Sequence, residues 1–216
     1  MEKEELIKKL YTAVRDGFIE DSVPLAEKSV ELGYDPLEVL RGITDALKEI
    51  GEAFNEGRVF LTELMYCGET AKGAMAILTE EIKRQNKEVP YLGRVVIGTV
   101  AGDIHDIGKS LVVSMLVAEG FEVIDLGIDV PDEVFVEKVR ELEPDILGLS
   151  ALVTTTMLKF KDVSIALDEA GLRDKVKVII GGALVNMEWF ETSGADSFGT
   201  DAIDAIAKVR ELLDIK

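Results

Sequence analysis

The chain has 216 residues, 42 acidic against 24 basic side chains, a formal net charge of −18, and 47% hydrophobic residues. That is length for one large domain or two small ones with a sizeable core. So acidic a surface is repelled by phosphate backbones and by anionic lipid, which excludes nucleic acid and membranes as expected partners. The one cysteine, Cys67, leaves no partner for an intramolecular disulfide and no cysteine metal cluster; it falls in an apolar helical pattern and reads as a small core residue. The start, Met1-Glu2-Lys3-Glu4-Glu5, lacks the layout of a signal peptide, so a reducing cytoplasm is the expected compartment.

Residues 2–84 read as helices throughout. Leu6, Leu10 and Val14 mark one apolar stripe. A second helix begins near Ser22 to Pro24 and runs to Leu32, with Gly33 as its stop. Asp35-Pro36 restarts the chain as an N-cap followed by proline at the first helical position. Leu37, Leu40, Ile43, Leu47, Ile50 and Phe54 then recur at helical spacing up to Gly57. A fourth helix places Phe60, Leu64, Gly68, Ala71, Met75, Leu78 and Ile82 on one face. Four amphipathic helices with short turns predict a four-helix bundle. Residues 85–93 lose the periodicity, contain Pro90 and Gly93, and read as a linker.

From Arg94 the pattern alternates. Strands are predicted near 94–100, 121–126, 145–150, 176–180 and 196–199, and helices near 107–119, 131–142, 156–170, 185–193 and 201–214. Five βα units in a row predict an α/β domain: a five-stranded parallel, doubly wound, flavodoxin-like (Rossmann-like) sheet. The expected organisation is a helical domain over 1–84, the linker, and the α/β domain over 94–216.

Three loops at the carboxyl ends of strands carry the chemistry, which is where open α/β sheets hold ligands. The first is Gly102-Asp103-Ile104-His105-Asp106-Ile107-Gly108-Lys109, with the only histidine of the chain. Asp103, two residues from His105, is placed to hydrogen-bond one imidazole nitrogen while the other faces a metal; read alone, the histidine equally fits a loop or helix cap. Gly108 lets the backbone approach a bulky ligand. The second is Ser150-Ala151-Leu152-Val153-Thr154-Thr155-Thr156, whose hydroxyls either point into the same crevice or cap the next helix. The third is Gly181-Gly182-Ala183, which leaves room for a ligand or makes a tight turn.

Together these motifs, D-x-H-x-x-G, then S-x-L, then G-G, resemble the cobalamin-binding domain of methionine synthase, of corrinoid-dependent mutases and of methyltransferase corrinoid proteins. The amino-terminal half resembles the helical cap of the methyl-carrying members, so the resemblance covers nearly the whole chain and leaves nothing for a catalytic barrel. It implies a corrinoid, cobalamin or a relative, with His105 as the lower axial cobalt ligand, Asp103 as its hydrogen-bonded partner and Thr156 completing a relay. Ser150, Leu152 and Thr154 match positions lining the channel for the displaced nucleotide tail; Gly181 and Gly182 match the glycines that make room for it, with Val153 and Ala183 adjacent. Ile104, Asp106, Ile107 and Gly108 are expected against the lower corrin face, and Phe60 and Leu64 over the upper one. The chain departs from the family at Thr62, where proline is common, which bears on where the local helix starts. The implied function is a methyl shuttle between a substrate-specific methyltransferase and a second methyltransferase, maintained by a reductive activator protein, with 85–93 as hinge of the cap.

Three other readings compete. A P-loop at Gly108-Lys109-Ser110 fails on spacing, because five residues separate Gly102 from Gly108 where four are required. A corrinoid-binding sensor lacks a basic DNA-reading segment, and a mutase-type small subunit leaves the helical half without a role.

Overall fold

The computed structural model of the chain describes residues 1–85, 87 and 91–215, and the side chain of Asn55 is not among them. Of the expected linker and hinge over 85–93, residues 86 and 88–90 therefore lie outside the described residues. Two compact units result: Met1–Tyr91 with Val117–Gly120, and Leu92–Leu116 with Phe121–Lys216.

The first unit holds α1 (Lys3–Arg15), α2 (Ile19–Glu31), α3 (Pro36–Asn55) and α4 (Leu61–Arg84). The apolar stripes meet as the spacing predicts: Leu10, Val14, Leu40, Ile43, Leu47, Ala71, Leu78 and Ile82 form one buried cluster. Where α2 meets α4, the buried Ser22 hydroxyl donates to the Thr70 carbonyl at 3.0 Å. Helix α2 starts earlier than expected, at Ile19, and carries Pro24 inside it. The reason is the tight close of α1: Gly17, at φ +74°, and Phe18 donate back to Val14 and Ala13, so the next helix begins at once. Phe60 is not on the buried face of α4; it is the residue before the helix and is 79% exposed. The proline missing at Thr62 does not disturb this start, because the Glu63 carboxylate accepts the Phe60 N–H at 2.7 Å.

The second unit holds β1 (Arg94–Thr99), α5 (Ile107–Glu119) as far as Leu116, β2 (Glu122–Asp125), α6 (Asp132–Leu142), β3 (Ile146–Ser150), α7 (Thr154–Met157), α8 (Lys159–Glu169), β4 (Lys177–Gly181), α9 (Met187–Ser193), β5 (Ser197–Gly199) and α10 (Ala202–Leu212). The strands pair in parallel in the order β2-β1-β3-β4-β5. The helix expected over 156–170 is two helices, α7 and α8, meeting at Leu158.

Register assigns the two faces. Val96, Leu147, Val178, Leu149 and Ile180 point to one face and join Phe135, Val139, Phe160, Val163 and Leu167 from α6 and α8 in a packed core. The other face aligns Ile97, Gly148 and Ile179 in one row, then Thr99, Ser150, Gly181 and Gly199 in the next. Three glycines on three adjacent strands remove side chains from that face, between α5 and α10. The sheet is therefore filled on one side and hollow on the other. The direction in which successive strands are added reverses between β1 and β3, the switch point at which such sheets open a crevice.

Candidate functional site

The hollow face encloses a cavity of about 540 Å³. Its inner walls are apolar: Val95, Ile97, Leu116, Ile179, Ala205 and Val209. Its mouth carries His105, Asp106, Ser150, Thr200 and Asp201. Gly181 borders it with nothing within 4 Å of where a Cβ would stand, and the same holds for Gly108. Gly182 serves differently. At φ +148° its own Cβ would lie 1.8 Å from the Ala151 carbonyl oxygen, so only glycine lets these two loops approach.

At the switch point, Asp103 is buried and its carboxylate is bonded on both oxygens. Oδ1 accepts the His105 main-chain N–H at 3.0 Å and lies 2.7 Å from Nδ1 of the imidazole. Oδ2 accepts the Leu152 N–H at 2.8 Å and the Thr156 hydroxyl at 2.7 Å. Burial pushes this carboxyl up, but the donors at His105, Thr156 and Leu152 outweigh it and hold it well below the usual carboxylate range. An ionised carboxylate only accepts, so Nδ1 carries the hydrogen of this contact, and in the neutral imidazole the lone pair then stands on Nε2. The imidazole side chain is 51% exposed, open to a ligand from the solvent side. The Thr99 hydroxyl donates to the His105 carbonyl at 3.1 Å and fixes the loop from below.

Not every expected residue lines the cavity. Ile104, Asp106, Ile107, Gly108, Ser150, Leu152, Gly181, Gly182 and Ala183 do. Thr156 instead braces Asp103. Val153 acts through its main chain, its carbonyl accepting the Thr156 hydroxyl at 2.8 Å. Thr154 stands exposed on the first turn of α7, outside the wall. The alternation that brings Ser150 and Leu152 to one side ends where the strand turns into helix. In the bundle Leu64 is buried and Phe60 exposed.

Three features escape a reading of the sequence. Lys109, part of a Gly-Lys-Ser run that lacks P-loop spacing, is 4% exposed and its ammonium spans both oxygens of Asp125 at 2.6 and 2.5 Å. Residues Gly199–Ala202 form a fourth part of the mouth, and Gly199 ends its strand as Gly181 does. Asp129 accepts the Gly102 N–H at 2.7 Å.

The donor set decides which metal species fits. Among the described residues no group of three or more His, Cys, Asp or Glu side chains is placed to hold an ion. One imidazole cannot retain a bare metal, but it can supply the axial nitrogen to a metal carried inside a macrocycle. The glycine-lined, apolar cavity beside it gives such a cofactor room. The residues present fit a corrinoid.

Comparison with known proteins agrees. Two families, each described as a B12 binding domain, match residues 6–79 and 93–207. The chain is 43% identical over 212 residues to trimethylamine corrinoid protein 1 of Methanosarcina acetivorans, covering 98% of each. It is 40% identical over 214 residues to the dimethylamine corrinoid protein of Methanosarcina barkeri, covering 99% of this chain and 100% of that one. Among solved structures, the methanol:cobalamin methyltransferase complex of Methanosarcina barkeri superposes with a TM-score of 0.84 at 30% identity, over 99% of this chain and 81% of that one. The monomethylamine corrinoid protein of Methanosarcina barkeri gives 0.53 at 35% identity, over 98% and 100%. With a matched B12-binding module in each half, a cavity of the right kind and one histidine poised at its mouth, the chain belongs to the B12-binding corrinoid proteins, and a corrinoid is its cofactor.

Proposed function

We propose that the chain is a methyl carrier, a component of a methyltransferase system rather than a complete enzyme. The observation that carries this reading is His105, its Nδ1 held by the buried Asp103 and its Nε2 free at the mouth of the hollow face. When bound, the corrinoid supplies a cobalt centre able to accept a methyl group and pass it on. The protein's own residues do the rest. His105 offers the axial nitrogen. Asp103 keeps the proton on Nδ1, fixing the tautomer and raising the basicity of Nε2. The Thr156 hydroxyl lies within bonding distance of both Asp103 Oδ2 and the Val153 carbonyl. It has one hydrogen to give, so turning towards Val153 would loosen the hold on Oδ2 and leave the Leu152 N–H as its principal donor. Ser150, Leu152 and Gly181 to Ala183 border the nucleotide tail, and Ile104, Asp106, Ile107 and Gly108 border the lower face of the ring. Phe60, at the start of α4, is open to a ligand, whereas Leu64 one turn on is buried in the bundle.

The partner is a substrate-specific methyltransferase. Relatives named for trimethylamine and dimethylamine, at 40–43% identity over nearly the whole chain, support a methylamine as donor. A second methyltransferase takes the methyl group and a reductive activator restores the cofactor, in the cytoplasm. These full-length likenesses support a carrier over a sensor or a mutase subunit.

The test is the visible spectrum of the protein after loading with hydroxocobalamin and desalting, beside His105→Ala. Retained colour with altered axial ligation in the variant is expected. A wild-type protein that desalts colourless removes the reading. Methylation of the loaded protein by a trimethylamine methyltransferase, and not by a methanol one, is the expected partner preference.

A further inference from the structure

The loop between β2 and α6, residues 126–130, does not line the cavity, yet it is bonded along the segment that carries His105. Leu126 N–H donates to the Ile97 carbonyl at 2.8 Å, Thr99 N–H to the Gly127 carbonyl at 3.0 Å, and Val130 N–H to the Thr99 carbonyl at 2.9 Å. Two further bonds come from a single residue. Asp129 donates its N–H to the Asp103 carbonyl at 3.0 Å and accepts the Gly102 N–H on Oδ1 at 2.7 Å. Asp129 sits at φ +53°, a left-handed conformation that costs a non-glycine residue energy. That conformation turns both its main chain and its carboxylate towards residues 102–103. The start of the same loop is fixed as well: Asp125 accepts the Gly127 N–H at 2.9 Å while holding the buried Lys109.

Asp103 is thus gripped twice. Leu152 and Thr156 hold its carboxylate, and Asp129 holds the main chain on either side of its Cα. The grip on the main chain matters because Gly102, at φ +81°, is the softest joint of the loop. We infer that Asp129 is a positioning residue for His105: by fixing the Gly102–Asp103 main chain it sets the direction in which Asp103 presents the imidazole. The inference rests on the reading of His105 as the axial ligand.

The single histidine of the chain makes the test specific. Protein grown with nitrogen-15 histidine is loaded with hydroxocobalamin, reduced by one electron and frozen for electron paramagnetic resonance. Coordination by His105 splits the cobalt lines into doublets, whereas the cofactor's own nitrogen-14 base gives triplets. Asp129→Gly deletes the carboxylate and takes φ +53° without strain, so it keeps the fold. Asp129→Asn keeps an oxygen that accepts the Gly102 N–H. The expected result is a strong doublet in the wild type and in Asp129→Asn, none in His105→Ala, and in Asp129→Gly a doublet-to-undivided ratio lower by roughly threefold or more, the worth of one partly solvated hydrogen bond. A doublet retained in full by Asp129→Gly overturns the inference while leaving the axial-ligand reading in place. So does an equal loss in Asp129→Asn. A wild-type spectrum without the doublet overturns the axial-ligand reading, and the inference with it.

Discussion

Gly181 and Gly182 are neighbours, yet substitution at each should fail for a different reason. A side chain at Gly181 projects into the cavity and meets nothing within 4 Å of its Cβ. Its backbone lies in β4, where replacing glycine with a larger residue contributes about 0.5–1 kcal/mol to the strand. Gly181→Leu should therefore unfold in urea at a concentration no lower than the wild type. Its leucine occupies space that the cofactor needs, and forcing extra methylenes into a filled site costs about 1–3 kcal/mol. That corresponds to a loss of roughly fivefold to 150-fold in affinity for hydroxocobalamin. Gly182→Ala behaves in the opposite way: its Cβ would stand 1.8 Å from the Ala151 carbonyl oxygen, so the loop that supplies the Leu152 N–H to Asp103 must move. It should unfold at lower urea as well as bind weakly. The assay pairs equilibrium titration of the apoprotein, read by visible absorbance, with urea unfolding. Wild-type affinity in Gly181→Leu would refute the assignment of this cavity to the cofactor.

Other expectations follow from side chains away from the cavity's glycines. Lys109→Met leaves Asp125 without its cation; because Lys109 is 2% and Asp125 23% exposed, the loss should be about 2–3 kcal/mol, below that of a fully buried pair. Adding Asp125→Asn should recover part of it, since the amide oxygen still accepts the Gly127 N–H; urea titration of the two single variants and the double measures this, and strict additivity would count against the pair. The Cys67 thiol is pushed up to about 11, first by burial and then by Asp16 and Glu63. Iodoacetamide at pH 8 should label it at least about a hundredfold more slowly than a free cysteine, until urea exposes it. The Glu81 carboxylate, bonded by Arg84 and Gln85, is held down to about 2 from an ordinary 4.5. A lowered value means that its stabilisation is present above pH 4.5 and is lost as pH falls towards 2. Glu81→Gln should flatten that part of the stability profile, and an unchanged acid slope would show that the contact contributes nothing.

Elements were legible in the sequence because their signals are local. The strand ends at Thr99, Ser150 and Gly181 follow from short apolar runs closed by polar or small residues. The Asp103–His105 contact follows from two side chains two residues apart in a loop. What stayed hidden depends on partners far along the chain. Nothing near Lys109 announces that Asp125 will neutralise it, and the Gly-Lys-Ser run around it lacks the spacing of a phosphate loop. Asp129 gave no sign of its left-handed backbone, which arises from bonding to a loop nearly thirty positions earlier. Thr154 misled because a run of hydroxyls looks uniform, while the strand-to-helix turn gives each a separate direction. Phe60 misled because spacing placed it on a helix that begins one residue later.

The sheet that is packed against α6 and α8 but hollow towards α5 and α10 has a consequence for how the protein matures. Its larger core is built of side chains on the face turned away from the cavity, so a bound cofactor adds to that core rather than forming part of it. Loading then acts as a mass-action brace, worth about 2.7 kcal/mol once free corrinoid exceeds its dissociation constant a hundredfold. Empty and charged molecules would differ in heat resistance by that margin.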